Sequence, residues 1–115
     1  RVRCTVALHG ANQHRDILVN GSDAKVRHEV AVWGNTRHRD VLVHDEDFEV
    51  RADVVRIGNH RHHDVLVNDS NAYVRRMVAI YGSDKHRKIL SRDKDEDVRI
   101  VASRQLEIPS WLLYR

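Results

Sequence analysis

Histidine and arginine are the side chains in this sequence whose spacing invites a chemical reading. His14, His38, His62 and His86 recur at one fixed interval, and a local trio, His60, His62 and His63, is close enough in the chain to approach a single metal ion. Ligands around a zinc ion each lie about 2 Å from it. Helices packed side by side set equivalent residues roughly 10 Å apart, so four histidines from successive units cannot share an ion. The trio has no cysteine beside it and no copy elsewhere in the chain. These histidines are therefore expected to pack at the mouth of a helix, hydrogen-bonded to a neighbouring backbone carbonyl, and no metal or other cofactor is expected. Catalysis finds no better footing. The chain carries no glycine-rich phosphate loop, no Ser-His-Asp arrangement and no deaminase-type zinc motif. Its single cysteine, Cys4, has no repeated partner, and the expectation is a protein that is not an enzyme.

The segments around the four histidines are also basic: Gln13-His14-Arg15, Arg37-His38-Arg39, Arg61-His62-His63 and Lys85-His86-Arg87. Brought side by side, Arg15, Arg37, Arg39, Arg61, Lys85 and Arg87 would form a ridge. Cations at a helix N-terminus cost roughly 0.3–1 kcal/mol each at low salt, so a ridge there suggests an anionic ligand such as a phosphate backbone. Asp16, Asp40 and Asp64 follow immediately and partly cancel that charge. The plainer account is a solvated edge crossed by local ion pairs. The net charge of +3 is too small to choose between them.

What positions these residues is a repeat. Val-Arg occurs at Val2-Arg3, Val26-Arg27, Val50-Arg51, Val74-Arg75 and Val98-Arg99, always 24 residues apart. Val6, Val30, Val54 and Val78 form a second column, Gly10, Gly34, Gly58 and Gly82 a third, Ile17, Val41, Val65 and Ile89 a fourth, and Leu18, Leu42, Leu66 and Leu90 a fifth. Asp45, Asp69 and Asp93 share a column in which the first unit has Gly21. A fixed period of this length is the mark of a helical array in which each unit buries its apolar face against its neighbours. Aromatic residues make up only 5% of the chain against 32% charged, so Val, Ile, Leu and Ala must fill the interior.

Each unit reads as two short helices. Asp47 is an N-cap, about Phe48 to Ile57 is helical, and Gly58 is expected in the left-handed position after its end. Val50, Val54 and Ile57 lie at i, i+4 and i+7 and are expected on one buried face. Asn59 then caps a second element running to about Val67, either a short α-helix or a 3₁₀ turn, with Val65 and Leu66 turned inward. Arg27, Arg51 and Arg99 follow Asp23, Asp47 and Asp95 by four residues, which lets guanidinium and carboxylate meet on one turn or across the joint between units. The last unit departs from the pattern: Leu106 replaces the glycine, Ser110 the histidine, and Pro109, Trp111 and Leu112 are expected to begin a helix that caps the core. The expected fold is all-α, a right-handed α–α superhelix, or solenoid, of four 24-residue repeats (2–25, 26–49, 50–73, 74–97) and a C-terminal capping repeat (98–115), in a single domain spanning 1–115.

The stretch Asp45-x-Asp47-x-x-Val50-Arg51-x-x-Val54 and its counterparts cover nearly the whole chain. They resemble HEAT-like and leucine-rich-variant helical repeats of bacterial proteins, armadillo-like arrays in which an Asp-containing turn precedes Val-Arg-x-x-Val-Ala. The resemblance implies an α–α superhelix used for binding.

Positions that vary from unit to unit mark the recognition face of such a scaffold. One varying column reads His9, Trp33, Ile57, Tyr81, Gln105 and its neighbour Leu8, Val32, Arg56, Ile80, Arg104. Trp33, Arg56, Tyr81 and Arg104 are the candidate contacts for another protein, with the basic ridge available if that partner is acidic; Trp33 and Tyr81 could equally cover an inter-helix groove as ordinary core. The alternatives are sequence-independent nucleic-acid binding along the ridge, and a structural segment of a longer array whose uncapped N-terminal face, at Val2 and Val6, meets further repeats or a second copy of the chain. With one cysteine, no secretory signal and no apolar run long enough for a membrane, a cytoplasmic protein without membrane contact is expected.

Overall fold

The computed structural model describes residues 19–21 and 23–106. Arg15, Val2, Val6 and Cys4, and the proposed cap at Pro109, Trp111 and Leu112, lie outside the described residues.

All regular structure among the described residues is helical. Four ten-residue helices, α1 (Ala24–Trp33), α3 (Phe48–Ile57), α5 (Ala72–Tyr81) and α7 (Glu96–Gln105), alternate with three seven-residue helices, α2 (Thr36–Leu42), α4 (His60–Leu66) and α6 (Asp84–Leu90). The local chemistry sets these limits. Asp23, Asp47, Asn71 and Asp95 cap the long helices, each side chain accepting a backbone N–H of the first turn, and so satisfying a donor that has no partner inside the helix. Asn35, Asn59 and Ser83 open the short ones, with His38, His62 and His86 as the third helical residue reaching back to the capping residue. The second element is thus α-helical in the three units where it is described.

Gly34, Gly58 and Gly82 end the long helices, yet in an extended and not a left-handed conformation, with Gly58 at φ −72° and ψ −173°. Glycine is needed for space. A β-carbon on Gly34 would stand 2.5 Å from the Val30 carbonyl oxygen and 2.6 Å from His38 Nδ1.

Among the described residues, successive long helices pack against one another and against the short helix that joins them, and the molecule measures 53 Å along one axis against 19 Å across the other two. The interior is aliphatic: Val26, Val50, Val74 and Val98, then Val30, Val54 and Val78, meet Leu42, Leu66 and Leu90 from the short helices. Two expectations about this core are corrected. Ile57 is exposed at the last position of α3, where the helix ends. Val65 is exposed while Leu66 is buried, since neighbours on a helix diverge by about 100° and a seven-residue helix can turn only one of them inward.

The arginine column bridges successive turns. Arg51 donates from Nε to Asp69 Oδ1 at 2.8 Å and from Nη2 to Asp69 Oδ2 at 3.2 Å, while its Nη1 donates to the Asp45 carbonyl at 2.6 Å. Arg27 repeats this with Asp45 and the Gly21 carbonyl, and Arg75 with Asp93 and the Asp69 carbonyl. Each of these aspartates also accepts the backbone N–H two residues on, at Asp47, Asn71 and Asp95. Neither pairing that the four-residue spacing pointed to is formed: the residue four back is engaged as the cap, and each arginine pairs instead with the turn aspartate 18 residues on, at the far end of its own unit.

Arg51 and Asp69 are both largely buried, and removing one partner of such a pair strands the other charge. Asp69→Ala is expected to cost about 3–5 kcal/mol in urea denaturation, against about 1 kcal/mol for loss of the Asp47 cap in Asp47→Ala. Equal losses would show that the bridge adds no more than an ordinary cap.

Candidate interaction surface

The repeated histidines hold neighbouring units together. His62 Nδ1 accepts the Asn59 backbone N–H at 3.0 Å, which leaves Nε2–H to donate to Asp40 Oδ1 of the preceding unit at 2.7 Å. His86 does the same with the Ser83 N–H and with Asp64, at 3.0 and 2.6 Å. His38 Nδ1 accepts the Asn35 N–H at 2.9 Å. At His62 and His86 the expected carbonyl contact is therefore replaced by a backbone N–H on one ring nitrogen and a carboxylate on the other. The His86 hydrogen bond, joined by the Lys85 charge, holds the Asp64 carboxyl below the usual carboxylate range. A signal for this pairing stood in the sequence. Aspartate precedes histidine by 22 residues at Asp16 and His38, Asp40 and His62, and Asp64 and His86, and where the histidine becomes Ser110 the aspartate becomes Lys88.

The candidate basic ridge divides in two. Arg39 donates from both terminal nitrogens to the Gly34 carbonyl at 3.1 and 3.2 Å, and Arg87 donates to the Ala79 and Ile80 carbonyls, both at 2.9 Å, and to Asp84 at 3.1 Å. Both satisfy carbonyls left open at the end of a long helix, and burial lowers the Arg39 pKa. His63 takes the same role in the middle unit, with Nε2–H on the Val55 carbonyl at 2.7 Å. Arg37, Arg61 and Lys85 remain exposed in a second row, Arg61 lying 3.7 Å from Asp40 and Lys85 3.6 Å from Asp64. The trio His60, His62 and His63 splits among solvent, Asp40 and Val55. Among the described residues no group of three His, Cys, Asp or Glu is arranged to hold a metal ion.

The long helices present the unrepeated side of the molecule. Trp33 is 54% exposed, Phe48 39%, Tyr73 41% and Tyr81 47%, so every aromatic residue among those described lies at the surface and none in the core. Phe48 and Tyr73, on adjacent long helices, meet edge to face with ring centres 6.0 Å apart, and the Arg76 guanidinium lies 5.4 Å from the centre of the Tyr73 ring. Beside them Asp53 is buried, with Oδ1 accepting from Arg56 at 3.2 Å and Oδ2 against His28 Nδ1 of α1. Burial pushes the Asp53 carboxyl above its ordinary range, against the pull of His28 and Arg56. Of the four candidate protein contacts, Trp33 and Tyr81 end their helices at the surface, Arg56 is half-exposed and tied to Asp53, and Arg104 is exposed.

Two columns of this side escaped the sequence reading: His28, Ala52, Arg76, Ile100 and Glu29, Asp53, Met77, Val101. Their lack of any common residue type was the available signal. No protein-family model matches the chain, and no curated protein or solved structure does so either.

Burial lowers the His63 pKa, with the Val55 carbonyl opposing and the facing His86 and His62 rings adding to the drop. A folded pKa below the unfolded value of about 6.5 makes stability full above that value and loses it as pH falls through the window beneath. Replacing His63 by arginine, the residue of the equivalent positions 39 and 87, is expected to flatten the fall in melting temperature between about pH 7 and pH 5. An unchanged slope would assign the fall to other groups.

Proposed function

We propose that the chain is a non-enzymatic scaffold, an α-solenoid of HEAT-like character, that recognises another protein through the unrepeated side of its long helices. The single observation that carries this reading is the placement of the aromatic residues. A large ring exposed to water costs hydrophobic free energy that burial would recover, roughly 1.5–3 kcal/mol for a phenylalanine side chain. Here four such rings stand outside a core built from valine, leucine and alanine. Tyrosine and tryptophan at the surface are the side chains most enriched where proteins bind one another.

Trp33, Tyr81, Arg56 and Arg104 belong to this surface in the proposal, and Phe48, Tyr73 and Met77 join them. Phosphate binding along the ridge is less favoured. Arg39 and Arg87 donate to backbone carbonyls, and Arg61 and Lys85 stand beside carboxylates that a polyanion would have to displace.

Selection from a displayed library of random peptides about twelve residues long tests the reading. Selected peptides should lose affinity by about tenfold or more when Trp33, Phe48, Tyr73 and Tyr81 are replaced together by serine. They should be indifferent to joint reversal of Arg37, Arg61 and Lys85 to glutamate. Binding that survives the loss of the four rings would defeat the proposal. So would a mixed-sequence DNA duplex that binds at about 50 mM salt and is released both at about 200 mM and by the charge reversal.

A further inference from the structure

Two depressions on the long-helix side run into each other. One, of about 530 Å³, is bounded by α1 and the start of α3; the other, of about 540 Å³, by α1, α3 and α5, and they share His28 and Glu49. The second exists because of a small residue. Ala52 stands where the units on either side carry His28 and Arg76, so the surface of α3 is hollow between larger neighbours, with Met77 beside it and Phe48 and Tyr73 at the rim.

The charge in this groove runs against that of the chain. The protein carries a net +3, whereas the two depressions are lined by four carboxylates, Glu29, Asp47, Glu49 and Asp53, against Lys25, Arg56 and the imidazole of His28. Two of the carboxylates have internal work: Asp47 caps α3, and Asp53 is held by Arg56 and His28. Glu29 and Glu49 make no side-chain hydrogen bond or ion pair with any described residue. A concave site lined by one sign of charge concentrates the opposite sign near it, and phosphate is repelled from this one.

We infer that the groove across α1, α3 and α5 takes a peptide segment in which a lysine or arginine stands next to an apolar side chain. This rests on the reading of the long-helix side as a recognition surface, and it names what that surface recognises. The apolar side chain occupies the hollow over Ala52 and Met77. The aliphatic stem of the basic residue lies along Phe48 and Tyr73, and its charged end reaches Glu49 or Glu29, as long cationic side chains do when stem and head meet different surroundings.

Three short labelled peptides, alternating lysine with leucine, glutamate with leucine, and lysine with serine, titrated against the whole chain by fluorescence anisotropy, provide the test. The lysine–leucine peptide should bind at least about tenfold more tightly than either of the others. Glu49→Lys and Tyr73→Ser should each weaken it several-fold, while Lys85→Glu, on the far side, leaves it unchanged. Circular dichroism confirms that each variant is folded, and Glu29→Gln repeats the charge test if Glu49→Lys is not. Equal or better binding of the glutamate–leucine peptide, sensitive to Tyr73→Ser, would overturn this inference and leave the broader recognition surface standing. Equal binding of the lysine–serine peptide would reduce the effect to charge alone and overturn it too, as would no binding of the lysine–leucine peptide.

Discussion

The turn aspartate is the group on which the rest of the structure depends. Each of Asp45, Asp69 and Asp93 uses its carboxylate to receive the arginine of the long helix before it and the N–H of the turn that follows, while the Asp45, Asp69 and Asp93 carbonyls receive the arginine of the next long helix. The packed faces are valine, leucine and alanine, side chains of similar shape that would fit in several registers. A two-pronged contact between a planar guanidinium and a carboxylate admits one. Buried ion pairs are weak evidence for stability taken alone. Here the guanidinium is held at once by the carboxylate at the end of its own unit and by a carbonyl of the unit before, which fixes where one unit sits on the next, and the apolar burial follows from that placement.

The histidine contacts do the same on the other side of each joint. His62 and His86 lie buried at the start of their helices and reach an aspartate that is nearly half exposed. One ring nitrogen ends the backbone of its own unit and the other grips the unit before. Between them, the two sets of contacts tie the joints before Val50 and before Val74 at both edges of the aliphatic layer.

Much of the fold was legible in the sequence because it is written in local rules. Asp47, Gly58 and Asn59 mark the limits of α3 and the start of α4, and capping chemistry depends on only a few neighbouring residues. What local rules missed was distant. The partner of Arg51 is 18 residues away and that of His62 is 22 residues away, and periodicity of single columns cannot say which column meets which. The extended conformation of Gly58 was not legible, because its constraint is the neighbouring His62 ring and Val54 carbonyl, not its own backbone freedom. The candidate surface was half visible. Trp33 and Tyr81 stood out by type, but Phe48, Tyr73 and Asp53 gain meaning only when α1, α3 and α5 lie side by side.

Because the joints before Val50 and before Val74 are made from the same two contacts, the unit between them offers on one side what it takes on the other. An insertion or loss of 24 residues, or a multiple of it, between such joints therefore leaves them complete, whereas a change of any other length strands a buried arginine or histidine. Such a chain can lengthen or shorten in whole units by unequal exchange between its own coding repeats without passing through a misfolded ancestor. Phe48 against Tyr73, and Arg76 over the same ring, show the other half of that freedom. Once the joints hold the units in place, the outward residues of each long helix are released from the architecture and can drift, copy by copy, into a surface that no single repeat contains.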